Sequence, residues 1–125
     1  MKRIFLPAVV VAALFAGAVP VSGHHAWPIS REKLVTVKGT VLDFTWENPH
    51  PMITLEVRSD DGKMEKWSVG GPAISRMEAN GWTKTSVKPG DVITGIGYQF
   101  SDGQKIIRLE RIMFADGKEM RVYGR

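Results

Sequence analysis

Three histidines are the residues of this chain best suited to hold a metal ion, and two of them are adjacent in sequence. If a leader is removed after Gly23, His24 and His25 become the first two residues of the mature chain, beside a free α-amine. Copper(II) favours nitrogen ligands in a tetragonal arrangement, and an N-terminal histidine supplies two through its amine and its ring Nδ1. His50 would provide the third. Zinc is the less favoured metal because it would need a fourth protein ligand or water.

A second arrangement would bind copper through the terminus alone, using the α-amine, the deprotonated amide of residue 25 and the ring of His25. Neighbouring side chains of an extended segment point to opposite faces, so His24 and His25 are not both expected to reach His50. We therefore expect His24 and His50 as metal ligands, with His25 as a helper. The alternative without metal has two solvent-exposed terminal histidines and a His50 that hydrogen-bonds the backbone to fix its loop.

The segment around His50 reads Trp46-Glu47-Asn48-Pro49-His50-Pro51 and follows the first apolar run. The two prolines restrict the backbone and remove two N–H donors, which predicts a loop rather than a central strand. Trp46 is a candidate for a ligand platform, although burial is the more common role of a tryptophan in a core of this size. Glu47 could orient a ligand imidazole through its second nitrogen. Asn48 is a further candidate for this ligand surface, although a side chain that caps the backbone of the turn before Pro49 is its more common role.

Residues 1–23 have the features of a secretion signal. Lys2 and Arg3 precede an apolar stretch over residues 4–19, and Val21-Ser22-Gly23 forms a small-residue cleavage region. The stretch is shorter than the ~20 residues that span a bilayer, and it contains Pro7. We therefore expect cleavage, export to the periplasm without a stable membrane anchor, and one domain over residues 24–125.

Composition excludes several classes of function. The formal net charge of +4 falls to +2 when Lys2 and Arg3 leave with the signal, and the remaining charges alternate in sign, so nucleic acid is not expected as a partner. The chain has no cysteine, which excludes disulfides, thiolate metal sites and catalytic thiols. No nucleophile with its base, phosphate-binding glycine loop or close carboxylate pair is apparent, so we do not expect an enzyme.

Apolar runs separated by Asp-Gly and Pro-Gly turns predict strands joined by hairpins. In the first run, residues 34–46, the apolar side chains change from odd-numbered to even-numbered positions, which predicts a bulge or bend near Gly39. A short helix is expected between Pro72, as its first residue, and Gly81, as its stop. The other predicted strands surround Ile53–Val57, Trp67–Val69, Val92–Tyr98, Lys105–Phe114 and Glu119–Tyr123.

This order of three strands, one helix and two or three further strands is that of an oligonucleotide/oligosaccharide-binding (OB) barrel. The predicted fold class is therefore all-β with one short helix, arranged as a small OB-like barrel of five to six strands. An immunoglobulin-like sandwich would need about seven strands and no interrupting helix.

Several of these elements together resemble one known family. They are the His24-His25 pair, Gly-Thr-Val-Leu-Asp-Phe-Thr-Trp-Glu-Asn-Pro-His over residues 39–50, Trp67, and Lys-Pro-Gly-Asp over residues 88–91. The pattern is similar to DUF6152, a family of small exported bacterial proteins, with Ala26-Trp27-Pro28 as a departure where a serine and a phenylalanine are expected. The resemblance implies a periplasmic setting in a Gram-negative bacterium and a small β-barrel, and it implies no activity.

Two functions remain open from the sequence. The first is periplasmic sequestration or delivery of copper, or less favourably zinc, by His24, His25 and His50. The alternative is a module without metal, in which the Trp46–Pro51 corner binds an envelope protein, a peptide or a saccharide. A copper oxidase acting on a polymer is a third and weaker hypothesis, because this chain is small for a broad substrate surface.

Overall fold

The computed structural model describes residues 27–124, so the predicted leader over residues 1–23 and the predicted ligands His24 and His25 lie outside the described residues. Within residues 27–124, no helix is long and apolar enough to cross a membrane. The described elements are β1 (Ile29–Thr45), β2 (Met52–Arg58), β3 (Met64–Gly70), α1 (Ile74–Ala79), β4 (Val92–Phe100), β5 (Ile106–Phe114) and β6 (Glu119–Arg121).

Five of the strands form a closed ring. Antiparallel pairs join β1 to β2, β2 to β3, β1 to β4 and β4 to β5, and a parallel pair between β3 and β5 closes the circuit. The short β6 extends the sheet from β5. This confirms the predicted all-β class with one short helix, and the ring approximates the predicted OB-like barrel.

The strand β1 is long enough to pair with two different strands. Its first part pairs with β4 as far as Thr40, and Thr40–Thr45 pairs with β2. Gly39 lies at this change of partner, where an added Cβ would come within 2.5 Å of the Glu56 carbonyl oxygen. A glycine is therefore needed for β1 and β2 to approach this closely.

The bulge expected near Gly39 lies at Leu42, three residues later in β1. The β1–β2 register shifts between Val41 and Asp43, and the side chain of the extra residue, Leu42, is 39% exposed. The bulge accounts for the change of the apolar side chains from odd-numbered to even-numbered positions. It lets Val41 before it and Phe44 after it both pack toward the core.

The ring encloses an aliphatic core that is completed at one end by α1 and Trp82. Met77 of α1 and Trp82 are each 1% exposed, and the Trp82 indole N–H donates to the Arg121 carbonyl at 2.7 Å, which connects β6 to the core. The helix begins at Ile74, not at Pro72 as predicted, with Ala73 preceding it as the N-cap residue. Gly81, at φ +86°, follows the helix as expected.

Candidate functional site

Both ring nitrogens of His50 are bound within the fold. The Nδ1 atom lies 3.0 Å from the Gly71 carbonyl oxygen, and the Trp27 indole N–H donates to Nε2 at 2.9 Å. Since a carbonyl oxygen accepts and an indole N–H donates, this pairing is satisfied by the neutral imidazole with its proton on Nδ1. His50 therefore holds its loop in place, and its Nε2 lone pair, which a metal ion would need, already accepts a hydrogen bond from Trp27.

Trp27 is the partner that positions this ring. Its indole meets the His50 imidazole edge-on, with ring centroids 4.6 Å apart, and meets Phe100 at 5.4 Å in a similar arrangement. A Cβ added to Gly70 would lie 2.1 Å from Cη2 of Trp27, so only a glycine leaves room for the indole. We refer to Trp27, His50, Gly70 and Phe100 as the Trp27 anchor.

The loop that carries His50 is also tied to the helix. The Asn48 side-chain oxygen accepts a hydrogen bond from the Ile74 N–H at 3.1 Å, and the Pro51 carbonyl accepts one from the Gly71 N–H at 2.9 Å. Asn48 was expected to stabilise its own turn, but it caps the first turn of α1 instead. Glu47 is exposed, and among the described residues its carboxylate does not hydrogen-bond His50.

A surface groove of about 430 Å³ opens beside the Trp27 anchor. We call it the Trp27 groove. Its walls come from the start of β1, the His50 loop, the β3–α1 connection, β5 and the segment after β6, and its lining residues are Trp27, Ile29, Arg31, His50, Gly71, Pro72, Ala73, Arg108 and Tyr123. The two charged groups among them, Arg31 and Arg108, are both cationic.

Arg108 and Tyr123 form one wall of the groove. The Arg108 Nε–H donates to the Tyr123 hydroxyl at 3.0 Å, and its guanidinium carbon lies 4.7 Å from the centre of the tyrosine ring. A second guanidinium, that of Arg76 on α1, lies 5.7 Å from the same ring centre. Cation–π attraction therefore gathers positive charge at this wall.

Trp46 and His50 belong to one loop but contribute to different surface depressions. Trp46 is partly buried against the core, with its ring centre 5.6 Å from that of Phe44, and it borders a separate cleft with Trp82 and Lys84. The structure therefore does not bring Trp46 and His50 together on one binding surface.

Trp27 is a residue of this candidate site that the sequence analysis did not propose as a site residue. In the sequence it was noted only as part of a departure from the family pattern, and its hydrogen-bond partner is 23 residues away. Its position three residues after His24 was a usable signal, because an aromatic residue there can dock a terminal segment against the domain. Over residues 27–124, no three histidine or carboxylate side chains are grouped closely enough to hold a metal ion.

Two carboxyl groups of the described residues have displaced pKa values; they lie in hairpin turns and do not line the groove. The pKa of Asp61 is lowered by the Ser59 hydroxyl and then by the Lys63 N–H, both of which donate to its carboxylate. The pKa of Asp102 is lowered by the backbone N–H and the side-chain amide of Gln104. These carboxylates stabilise turns.

Comparison with known proteins identifies the family. The DUF6152 model, described as a family of unknown function, matches residues 11–107, so the chain belongs to this family. No curated protein matches the chain.

Among solved structures, 24 chains match. One is from a crystal structure of TiaS in complex with a transfer RNA and ATP, with 13% sequence identity and a TM-score of 0.48. The match covers 74% of this chain and 20% of the other, so the present chain spans about a fifth of that protein.

Proposed function

We propose that this protein is an exported, periplasmic interaction module that binds a peptide or a peptide segment of a protein in the Trp27 groove. The observation that carries the proposal is the groove itself, where five separate parts of the chain converge on aromatic, apolar and cationic side chains. Concave sites with mostly apolar walls and a few placed polar groups are typical of ligand binding. The predicted secretion signal over residues 1–23 supports the periplasmic setting.

The walls of the groove are held in place by contacts within the fold. His50 is bound through both ring nitrogens, and the adjoining loop is hydrogen-bonded to α1 and to Gly71. A ligand would therefore meet a surface that is already ordered, which lowers the entropy lost on binding.

A peptide fits this groove better than a saccharide does. Sugar rings bind by stacking on open aromatic faces, whereas the aromatic rings here are engaged by the protein. The Arg108 guanidinium lies over Tyr123, and Trp27 packs edge-on with His50 and Phe100. A peptide can instead place one apolar side chain against Ile29 and Pro72 and use its polar groups at the rim.

Selection from a random peptide display library on mature protein beginning at His24 would test this proposal. We expect enriched peptides that bind the wild-type protein and lose binding to Ala73→Trp, which fills the groove from an exposed position. The matched control is Ala115→Trp, at an exposed position in the β5–β6 turn, which should bind them normally. Failure to enrich any peptide that distinguishes these two variants would contradict the proposal.

Copper binding is a second proposal, supported by the two adjacent histidines at the expected mature terminus. Because His50 already uses both ring nitrogens, we place the ion on the α-amine, the residue 25 amide and the His25 ring, with His24 as the terminal residue and His50 left in the Trp27 anchor. Zinc would fit this set less well because it lacks the planar preference of copper(II).

Two variants separate the terminal chelate from a site that includes His50. If His50 were a ligand, His50→Ala would weaken copper binding and Trp27→Phe would strengthen it by releasing Nε2. The terminal chelate predicts that neither substitution changes the affinity, and that acetylation of the His24 α-amine abolishes tight binding. Copper titration followed by electron paramagnetic resonance measures both.

A further inference from the structure

We infer that the ligand of the Trp27 groove is an acidic peptide whose carboxylate pairs with Arg108 and Arg31. This inference rests on the proposed peptide-binding function and adds the chemical class of the ligand. It follows from the charges at the groove, from the geometry of Arg108 and from the position of Arg31.

The groove has an excess of positive charge. Arg31 and Arg108 line it, the described lining residues include no carboxylate, and Arg76 lies close to its Tyr123 wall. Glu110 offsets part of this charge, since its Oε1 is 3.6 Å from Arg108 Nη2. The cations at the described walls of the groove favour an anionic ligand.

The Arg108 guanidinium is fixed in direction but open to a further partner. Its Nε is held by the Tyr123 hydroxyl, which orients the planar group. Arg108 also forms an ion pair with Glu110, but at 3.6 Å this contact is longer than a hydrogen bond, so the terminal nitrogens keep donors for a further partner. A ligand carboxylate that approaches the terminal nitrogens can form the short, paired hydrogen bonds that arginine makes with carboxylates.

Arg31 lies far from Arg108 in sequence, near the start of β1, and it is exposed. A flexible, solvated cation can follow a carboxylate into the groove, whereas Arg108 provides the fixed contact. The two together favour an extended peptide with acidic side chains over a neutral one.

Hexaglutamate and hexaglutamine peptides provide matched probes of this inference. We expect hexaglutamate to shift the Arg108 Nε–H and Trp27 indole N–H resonances saturably in low salt, and hexaglutamine to leave them unchanged. Arg31→Gln and Arg108→Gln should each weaken hexaglutamate binding at least tenfold. Arg58→Gln removes an exposed arginine that does not line the groove and should leave binding within a factor of two.

Equal responses to the two peptides, no response to either, or equal weakening by Arg58→Gln would each overturn the acidic-peptide assignment. Saturable binding of an oligogalacturonate without binding of hexaglutamate would also overturn it, since the ligand would then be an acidic saccharide. Failure of this inference is distinguishable from failure of the proposed function. If the display selection yields neutral peptides whose binding is lost in Ala73→Trp, the groove binds peptides but is not specific for acidic ones.

Discussion

Replacing Trp27 by phenylalanine removes the indole N–H from His50 Nε2 while retaining an aromatic ring. An unpaired acceptor costs about 1–3 kcal/mol when it is buried. Both residues are only partly buried, so water can reach the freed nitrogen and the cost should fall near the lower limit. Adding the lost packing of the larger ring, we expect the free energy of unfolding to fall by about 1–2 kcal/mol. For a domain of this size, each kcal/mol shifts Tm by roughly 4–8 °C.

A double-mutant cycle separates the hydrogen bond from the loss of ring volume. Trp27→Phe, His50→Leu and the double variant should give a coupling energy of about 0.5–1.5 kcal/mol, since each single change already breaks the bond. Urea unfolding followed by far-ultraviolet circular dichroism is the suitable assay, because the change in tryptophan content would disturb fluorescence. Trp67→Phe combined with His50→Leu is the control and should be additive, since Trp67 donates to Glu65 instead. Coupling below about 0.3 kcal/mol in the Trp27 cycle would refute the reasoning.

Three further predictions concern the anchor, the core and a turn. Gly70→Ala places a Cβ against Trp27 Cη2 and should cost about 1–3 kcal/mol by forcing the indole outward, measured by urea unfolding and by loss of the Trp27 indole shift. Gly95→Ala is its control, because a Cβ there would meet Ile107 Cδ1 at 3.4 Å, and an equal loss in both variants would contradict the steric argument. Trp82→Phe should cost about 1–2 kcal/mol by removing the donor to Arg121 and should speed hydrogen exchange in β6, whereas unchanged exchange there would show that β6 is held by other contacts. The pKa of Asp61 is lower in the folded than in the unfolded state, so its contribution to stability is present above the unfolded pKa and is lost as the pH falls through the folded pKa. Nuclear magnetic resonance titration of the Asp61 carboxyl carbon measures the folded pKa, and a midpoint at or above the ordinary pKa of an aspartate would disprove this.

The parts of the fold that could be predicted are those that depend on turn residues and on the alternation of apolar and polar residues along the chain. Glycines at positive φ end or turn the chain at the predicted positions, for example Gly62 and Gly103 in the hairpins. Alternating apolar residues mark which side of each strand is buried, and the single helix between the third and fourth strands indicates the OB-like order. These signals depend on neighbours within a few residues, which is why they can be recognised in the sequence.

The candidate site depended on contacts that no local pattern specifies. Alternation predicts the side on which a residue lies but not its partner, so the Trp27–His50 hydrogen bond and the space that Gly70 leaves for the indole could not be anticipated. The same holds for Asn48, whose partner in α1 is 26 residues away. The metal hypothesis recognised that His50 would be held in a stiff loop, but it did not include the two groups that occupy its nitrogens.

The most direct test of the proposed function is to map the bound surface at the level of single N–H groups. Two-dimensional ¹H–¹⁵N spectra of mature protein beginning at His24 would be recorded with and without the tightest peptide from the display selection. The proposal predicts that the largest shifts occur at the Trp27 indole N–H, the Gly71 and Ala73 amides and the Arg108 Nε–H. Shifts centred instead on Trp46 and Lys84, with these groove resonances unchanged, would contradict the assignment of the Trp27 groove as the binding site.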